Sequence, residues 1–314
     1  MQKVLRIGTR DSQLAVWQAT LVQGLLKDAG VASELVYMKS EGDVDTVTPL
    51  YALGVTGVFT KTLDAALLND RIDIAVHSMK DVPTQLAQGI QQAAVLKRGS
   101  YKDIFVYKNG IDFLNDSNSE ATIATGSVRR IAQWLNRYPN HKVENLRGNV
   151  NTRLRKVEEN DWNGAIFAAA GLERIHLRPE KSIDLDWMLP APAQGAIMVV
   201  CRDGDDYAWE NCRSFNHEAT SLSTKIERDF LSALMGGCST PISALAEVKS
   251  GEVFFRGNIV SPDGKQKVEV ELVSARNEAL ELGKIAAKEI LHKGGQPIVE
   301  RIRNKGLSTN GKEF

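Results

Sequence analysis

The stretch Ile72-Asp73-Ile74-Ala75-Val76-His77-Ser78-Met79-Lys80-Asp81-Val82-Pro83 decides how this chain is read. Ile72–Val76 is short, β-branched and mostly apolar, the pattern of a strand covered on both faces of a sheet. In open α/β sheets ligands bind beyond the carboxyl ends of strands, so the turn from His77 to Pro83 is where a site is expected. Val82-Pro83 stiffens the backbone just after Asp81, as fixing a carboxylate's direction requires. Lys80 beside it reads equally well as a local ion-pair partner.

Working upstream, Val4–Ile7 reads as a strand and Asp11-Ser12 as a helix N-cap. Leu14, Trp17, Leu21 and Leu25 follow at helical spacing. Leu35–Met38 resembles another strand, and Thr60 is placed to cap a helix that turns Leu63, Ala66 and Leu67 inward. Thr9-Arg10-Asp11-Ser12 thus lies at the same kind of strand end as Asp81. Downstream, from about residue 102, the grammar repeats. Thr122–Ala124 is a strand, followed by Thr125-Gly126-Ser127 and a helix with Val128, Ile131, Trp134 and Leu135 on one face. Another helix begins near Asn149 or Asn151, Ala165–Ala169 is a central strand, Leu189-Pro190-Ala191-Pro192 a crossover, and Ala196–Cys201 a strand returning to the first sheet. Strands alternating with helices predict α/β architecture with parallel pairing.

The last hundred residues change pattern. Ala244–Val248, Val253–Val260 and Lys267–Val273 predict antiparallel strands, the last two joined by the turn Ser261-Pro262-Asp263-Gly264. A helix carrying Leu280, Leu282, Ile285, Ile290 and Leu291 closes a small α+β module. The predicted organisation is one α/β lobe from 1–99 and 196–215, a second from 100–195, and an α+β domain from 216–314.

The 314 residues carry 39 basic and 39 acidic side chains, with 43% apolar residues, which excludes a disordered chain and a surface uniformly suited to nucleic acid or anionic lipid. Three cysteines form no CxxC pair, so a reducing compartment fits better than a disulfide framework. No apolar run approaches a membrane span, and the N-terminus has no signal-peptide core. The expectation is a cytoplasmic protein with no metal site, since the five histidines are scattered.

The charge balance breaks locally. Between Ala121 and Lys156, Arg129, Arg130, Arg137, Lys142, Arg147, Arg153, Arg155 and Lys156 face a single acid, Glu144. Arg129 and Arg130 fall in the first turn of a helix, where the dipole disfavours cations, so an anionic ligand is expected to offset the cost. Arg147-Gly148-Asn149-Val150-Asn151-Thr152-Arg153 repeats the layout. A guanidinium pairs bidentately with carboxylate or phosphate. The run reads either as a solvated basic face or as a polyanion site; RNA phosphate is allowed, though few aromatic residues are interleaved for base stacking. In Met235-Gly236-Gly237-Cys238-Ser239-Thr240-Pro241, glycines flank a cysteine in a loop, leaving its sulfur accessible as nucleophile or attachment point.

Taken together and in order, Gly8-Thr9-Arg10, Asp73 to Pro83, Ser127-Val128-Arg129-Arg130, Leu146 to Leu154, Ala170-Gly171-Leu172, Gln194-Gly195-Ala196 and Gly236-Gly237-Cys238 resemble the porphobilinogen deaminase (hydroxymethylbilane synthase) family. The likeness runs from about Leu5 to the helix near Leu291. It implies two lobes like type II periplasmic binding proteins, with doubly wound mixed sheets, and a third domain carrying a dipyrromethane cofactor by a thioether at Cys238. The implied reaction joins four porphobilinogen molecules head to tail with release of ammonia.

By the same resemblance Asp81 is catalytic. Lys80, Ser127, Arg129, Arg130 and Arg147 hold the cofactor. Arg10, Ser12, Arg153, Arg174 and Phe59 meet the substrate. A monomer is expected, with no nucleic-acid or membrane partner. The chain departs from the family pattern at Ala52 and Thr56, where lysines are usual, at Gly126-Ser127 in place of paired serines, and at Pro192-Ala193 before Gln194-Gly195. The reading from another class is a non-catalytic two-lobed protein that binds a small carboxylate.

Overall fold

The computed structural model describes residues 3–39, 60–116, 118–234 and 240–307. Phe59, Cys238, Ala52 and Thr56 lie outside the described residues.

Two five-stranded sheets share one plan. The first has the order β2 (Ser33–Met38), β1 (Leu5–Arg10), β3 (Ile74–Ser78), β10 (Ile197–Arg202), β4 (Ile90–Val95). The second has the order β7 (Lys142–Glu144), β6 (Thr122–Ala124), β8 (Gly164–Ala168), β5 (Asp103–Tyr107), β9 (Ser182–Asp184). In each, three strands run parallel and the next two pairings are antiparallel. The parallel pairing expected from strand–helix alternation therefore holds for three strands of each sheet, and the sheets as a whole are mixed, as the resemblance implies. The strand that reverses direction is delivered by a crossover: β5 enters the second sheet directly from the first lobe, and β10 returns to the first.

Alternation explains why both sheets are covered on both faces. In the first, Ile74, Val76, Ile197 and Val199 pack one way with Leu5, Val22 and Leu26. Ala75, Met198 and Val200 pack the other way with Leu63, Leu67 and Ile72. In the second, Ile104, Val106 and Phe167 face one core and Phe105, Ile166 and Trp134 the other.

The third domain is an antiparallel sheet of β11 (Ile242–Lys249), β12 (Glu252–Val260) and β13 (Lys267–Ala275) against helices Glu218–Ala233 and Leu282–Ile290. Phe230 and Phe255 meet edge to face at 5.2 Å in its core. The closing helix is preceded by a 3₁₀ turn at Ala279–Glu281, so Leu280 falls outside it, and beyond its end Gly294 at φ +97° kinks the chain before Gln296–Leu307.

One fully buried carboxylate ties the three parts together. Glu227, on Glu218–Ala233, accepts from Arg98 Nη1 at 2.6 Å, from Ala193 N at 2.6 Å and from Ala246 N at 2.8 Å. Arg98 and Ala193 lie on the two crossovers, and Ala246 is in the third domain's own sheet. A buried charge is tolerable only with that degree of pairing.

Candidate active site

The carboxyl ends of β1, β3, β6 and β8 all face a cleft of about 610 Å³ between the lobes. Three helices also begin there, each capped by its own side chain. Ser12 caps Gln13–Asp28, Ser127 caps Val128–Arg137, and Asn149 caps Val150–Glu159 through a 2.9 Å bond from Thr152 N. The positive ends of three dipoles converge on one space, which favours an anion. Thr60, in contrast, makes no side-chain cap bond.

Arg10, Ser12, Lys80, Asp81, Ser127, Arg129, Arg130, Arg147 and Arg153 line this cleft. Arg174 is placed elsewhere. Its Nη2 donates to Gly195 O at 2.6 Å and its guanidinium lies 5.8 Å from the Trp17 ring, so it braces the crossover against the first lobe. Burial lowers it to about 10, against the opposing charge of Glu173.

Arg129 and Arg130 have an internal counter-ion that sequence reading misses. Asp103, fully buried at the head of β5, has Oδ2 2.7 Å from Arg129 Nη2. Its Oδ1 accepts from Arg130 Nη2 at 2.8 Å and from Arg130 Nε at 3.1 Å. Arg129 Nη1 further donates to Leu189 O, and Arg130 Nη1 to Ile166 O. The cost expected to be met by a ligand is thus met in part by the protein. The only sequence signal is an acid opening an otherwise apolar strand. Burial by itself would raise Asp103, but the charges of Arg129 and Arg130, the Gln194 amide and Lys80 hold it at about 2.

One carboxylate shared by two guanidinium groups leaves positive charge over. Arg129 Nε, buried, meets no acceptor among the described residues. Burial pushes Arg129 below its ordinary range, Asp103 opposing and Arg130 adding to the shift. Arg153 falls to about 10 chiefly through burial, with Arg130 and Arg147 repelling it and Asp81 opposing. Lys80 falls to about 8, again chiefly through burial, with Asp81 resisting. These are cations held out of water and under-neutralised, the state a polycarboxylate relieves.

Gln194 links the lobes at the cleft floor. Its Nε2 donates to Tyr101 O and Asp103 Oδ1, and its Oε1 accepts from Lys80 Nζ at 3.4 Å. Gly148, at φ +113°, turns the chain so that Arg153 Nε reaches Gly148 O at 2.7 Å. Gly126 permits close approach, since a Cβ there would sit 2.6 Å from Leu146 O. His77, buried behind the turn, is lowered to about 4 by burial and by Arg10.

No group of three or more metal-ligating side chains occurs among the described residues, and none of their helices is long and apolar enough to cross a membrane. Among solved structures the chain is similar to an ancestral cationic amino acid solute binding protein, at 15% identity and TM-score 0.44, covering 68% of this chain and 87% of that one. It is also similar to a nutrient binding protein from Burkholderia cenocepacia bound to methionine, at 17% identity and TM-score 0.42, covering 67% and 90%. The family model described as porphobilinogen deaminase, dipyrromethane cofactor binding domain, matches residues 5–210, and that of the porphobilinogen deaminase C-terminal domain matches 221–292. With those two matches following one another along the chain, this protein belongs to the porphobilinogen deaminase family.

Proposed function

We propose that this member of a family of tetrapyrrole-synthesising transferases condenses four porphobilinogen molecules head to tail, releasing ammonia at each addition, to give hydroxymethylbilane on a dipyrromethane primer joined to Cys238. The observation that carries the reading is the cleft itself: six cationic side chains (Arg10, Lys80, Arg129, Arg130, Arg147 and Arg153) around the carboxylate of Asp81.

The donor set fits the primer. Each pyrrole ring brings an acetate and a propionate, and such carboxylates need charged donors once out of water. Arg129 Nε, buried without an acceptor among the described residues, supplies one such donor. Lys80, Ser127, Arg129, Arg130 and Arg147 would hold the cofactor; Arg10, Ser12 and Arg153 would take the incoming ring. When bound, the primer supplies a free pyrrole α-carbon as nucleophile.

The protein's own part is electrostatic. Loss of ammonia from porphobilinogen leaves a cationic methylene-pyrrolenine. Asp81, at the end of β3, stabilises that cation where it forms and handles the protons of the reaction. The surrounding guanidinium groups hold the substrate carboxylates away from it, so that Asp81 remains the anion nearest the developing charge. Lys80, lowered to about 8, stays mostly protonated at neutral pH and serves as a further carboxylate partner.

Intact mass of the purified protein tests the reading. An adduct of two pyrrole units is expected, absent in Cys238→Ser, and Asp81→Ala is expected to lose turnover by at least about 100-fold with an unchanged urea midpoint. An unmodified mass with no product from porphobilinogen would instead identify a two-lobed carboxylate binder.

A further inference from the structure

We infer that Arg228, on the third domain's helix Glu218–Ala233, is the positioning residue for Asp81. This rests on the catalytic reading of Asp81 given above.

Arg228 reaches out of its own domain to the backbone of the turn that carries Asp81. Nη1 donates to Val82 O at 2.9 Å and approaches Met79 O at 3.5 Å, and Nη2 donates to Pro83 O at 2.5 Å. A single planar fork therefore gathers carbonyls on both sides of Asp81. The side chain is only 9% exposed, so these charge-assisted bonds are shielded from competing water.

The remaining restraints on the turn point the same way. Met79 N donates to Ala196 O at 3.0 Å, and Val82 N closes the single 3₁₀ turn on Met79 O at 3.2 Å. Pro83 fixes its own φ. Remove the guanidinium and, among the described residues, the C-terminal half of the turn keeps that 3.2 Å bond, the proline ring and the core packing of Val82, which fix the Asp81 backbone less tightly than the fork does. The neighbouring residue fixes the fork's origin: Glu227 is bonded to both crossovers and to β11. Glu227 and Arg228 thus let one helix register the turn of Asp81 against the hinge of the two lobes. The same helix leads, at Ala233, toward the segment that contains Cys238.

A carboxylate aimed by its backbone loses rate when that backbone shifts, since a misplacement near 1 Å costs on the order of 100-fold. In Arg228→Gln, kcat is expected to fall about 100-fold, with KM for porphobilinogen within about threefold of the parent. Arg228→Lys, which keeps the charge but not the fork, is expected to fall between. Two measurements do not depend on turnover. Amide exchange at Met79 and Val82 should quicken about tenfold or more while β3 and β10 stay protected, and intact mass should retain the pyrrole adduct.

A kcat within threefold of the parent, unchanged exchange at the turn, a change confined to KM, loss of the adduct, or failure of both variants to fold would each overturn the inference. Asp81→Asn, measured alongside, separates the two layers. Full turnover in Asp81→Asn would overturn the catalytic reading itself. Lost turnover there with normal Arg228→Gln would overturn only the positioning role.

Discussion

Asp103 shows how a single side chain sets the state of a charged site before any ligand arrives. It draws Arg129 and Arg130 onto one buried carboxylate and is itself held by Gln194. Asp103→Asn preserves the shape and removes the charge, leaving two buried guanidinium groups without their counter-ion. Such a loss is expected to destabilise the fold by about 3 kcal/mol, read as a lowered urea midpoint. The basic residues were legible because they crowd a short stretch with one acid. The roles of Asp103, Gln194, Glu227 and Arg228 were not, since the groups each of them meets lie far away in sequence. Arg228 and the carbonyl of Val82, for example, lie 146 positions apart. Only the folded chain makes them neighbours.

At the scale of elements, the helices around the cleft carry their own start signals. Ser12, Ser127 and Asn149 each cap as their sequence context predicts. Helix Val150–Glu159 depends on its cap more than most, with Val157 alone fully buried among its side chains. Asn149→Ala should cost about 1 kcal/mol in thermal or urea unfolding, a loss typical of an N-cap. Strands were harder to read. Ile90-Gln91-Gln92-Ala93-Ala94-Val95 forms β4, yet its alternation is blurred by glutamine and alanine, which suit a helix equally well. Direction was legible only through the family resemblance, which implies mixed sheets: β5 and β10 have the same buried, apolar character as their parallel neighbours, and periodicity carries no sign of polarity.

For the molecule as a whole, acid stability follows from its buried histidines. His77 is lowered to about 4, and His141, which accepts from Trp134 Nε1 at 3.1 Å, is lowered by burial as well. Below pH 6.5 the unfolded chain binds protons at these positions that the native chain does not, so stability falls as pH drops. His77 alone contributes up to about 1.4 kcal/mol per pH unit between 6.5 and its native value. Urea unfolding at pH 6.5 and pH 5 should differ by about 2 kcal/mol on its account, and His77→Phe should flatten that difference. The carboxylates of Asp73 and Asp103, both near 2, act in a lower window. For them the stabilisation is present above about pH 4 and disappears as pH approaches 2.

The late return of β10 to the first sheet bears on synthesis. β10 lies between β3 and β4, yet it is translated only after the whole second sheet. While the ribosome works through residues 96–196, the first sheet has a gap in its middle, with the edges of β3 and β4 lacking the partner that will later join them. The strands of the second sheet run consecutively from Asp103 to Asp184, so that half can be excised as one uninterrupted piece, whereas the first half cannot. A nascent chain halted before Arg202 should therefore expose β-edges that recruit chaperones, whereas a chain released past that point should not.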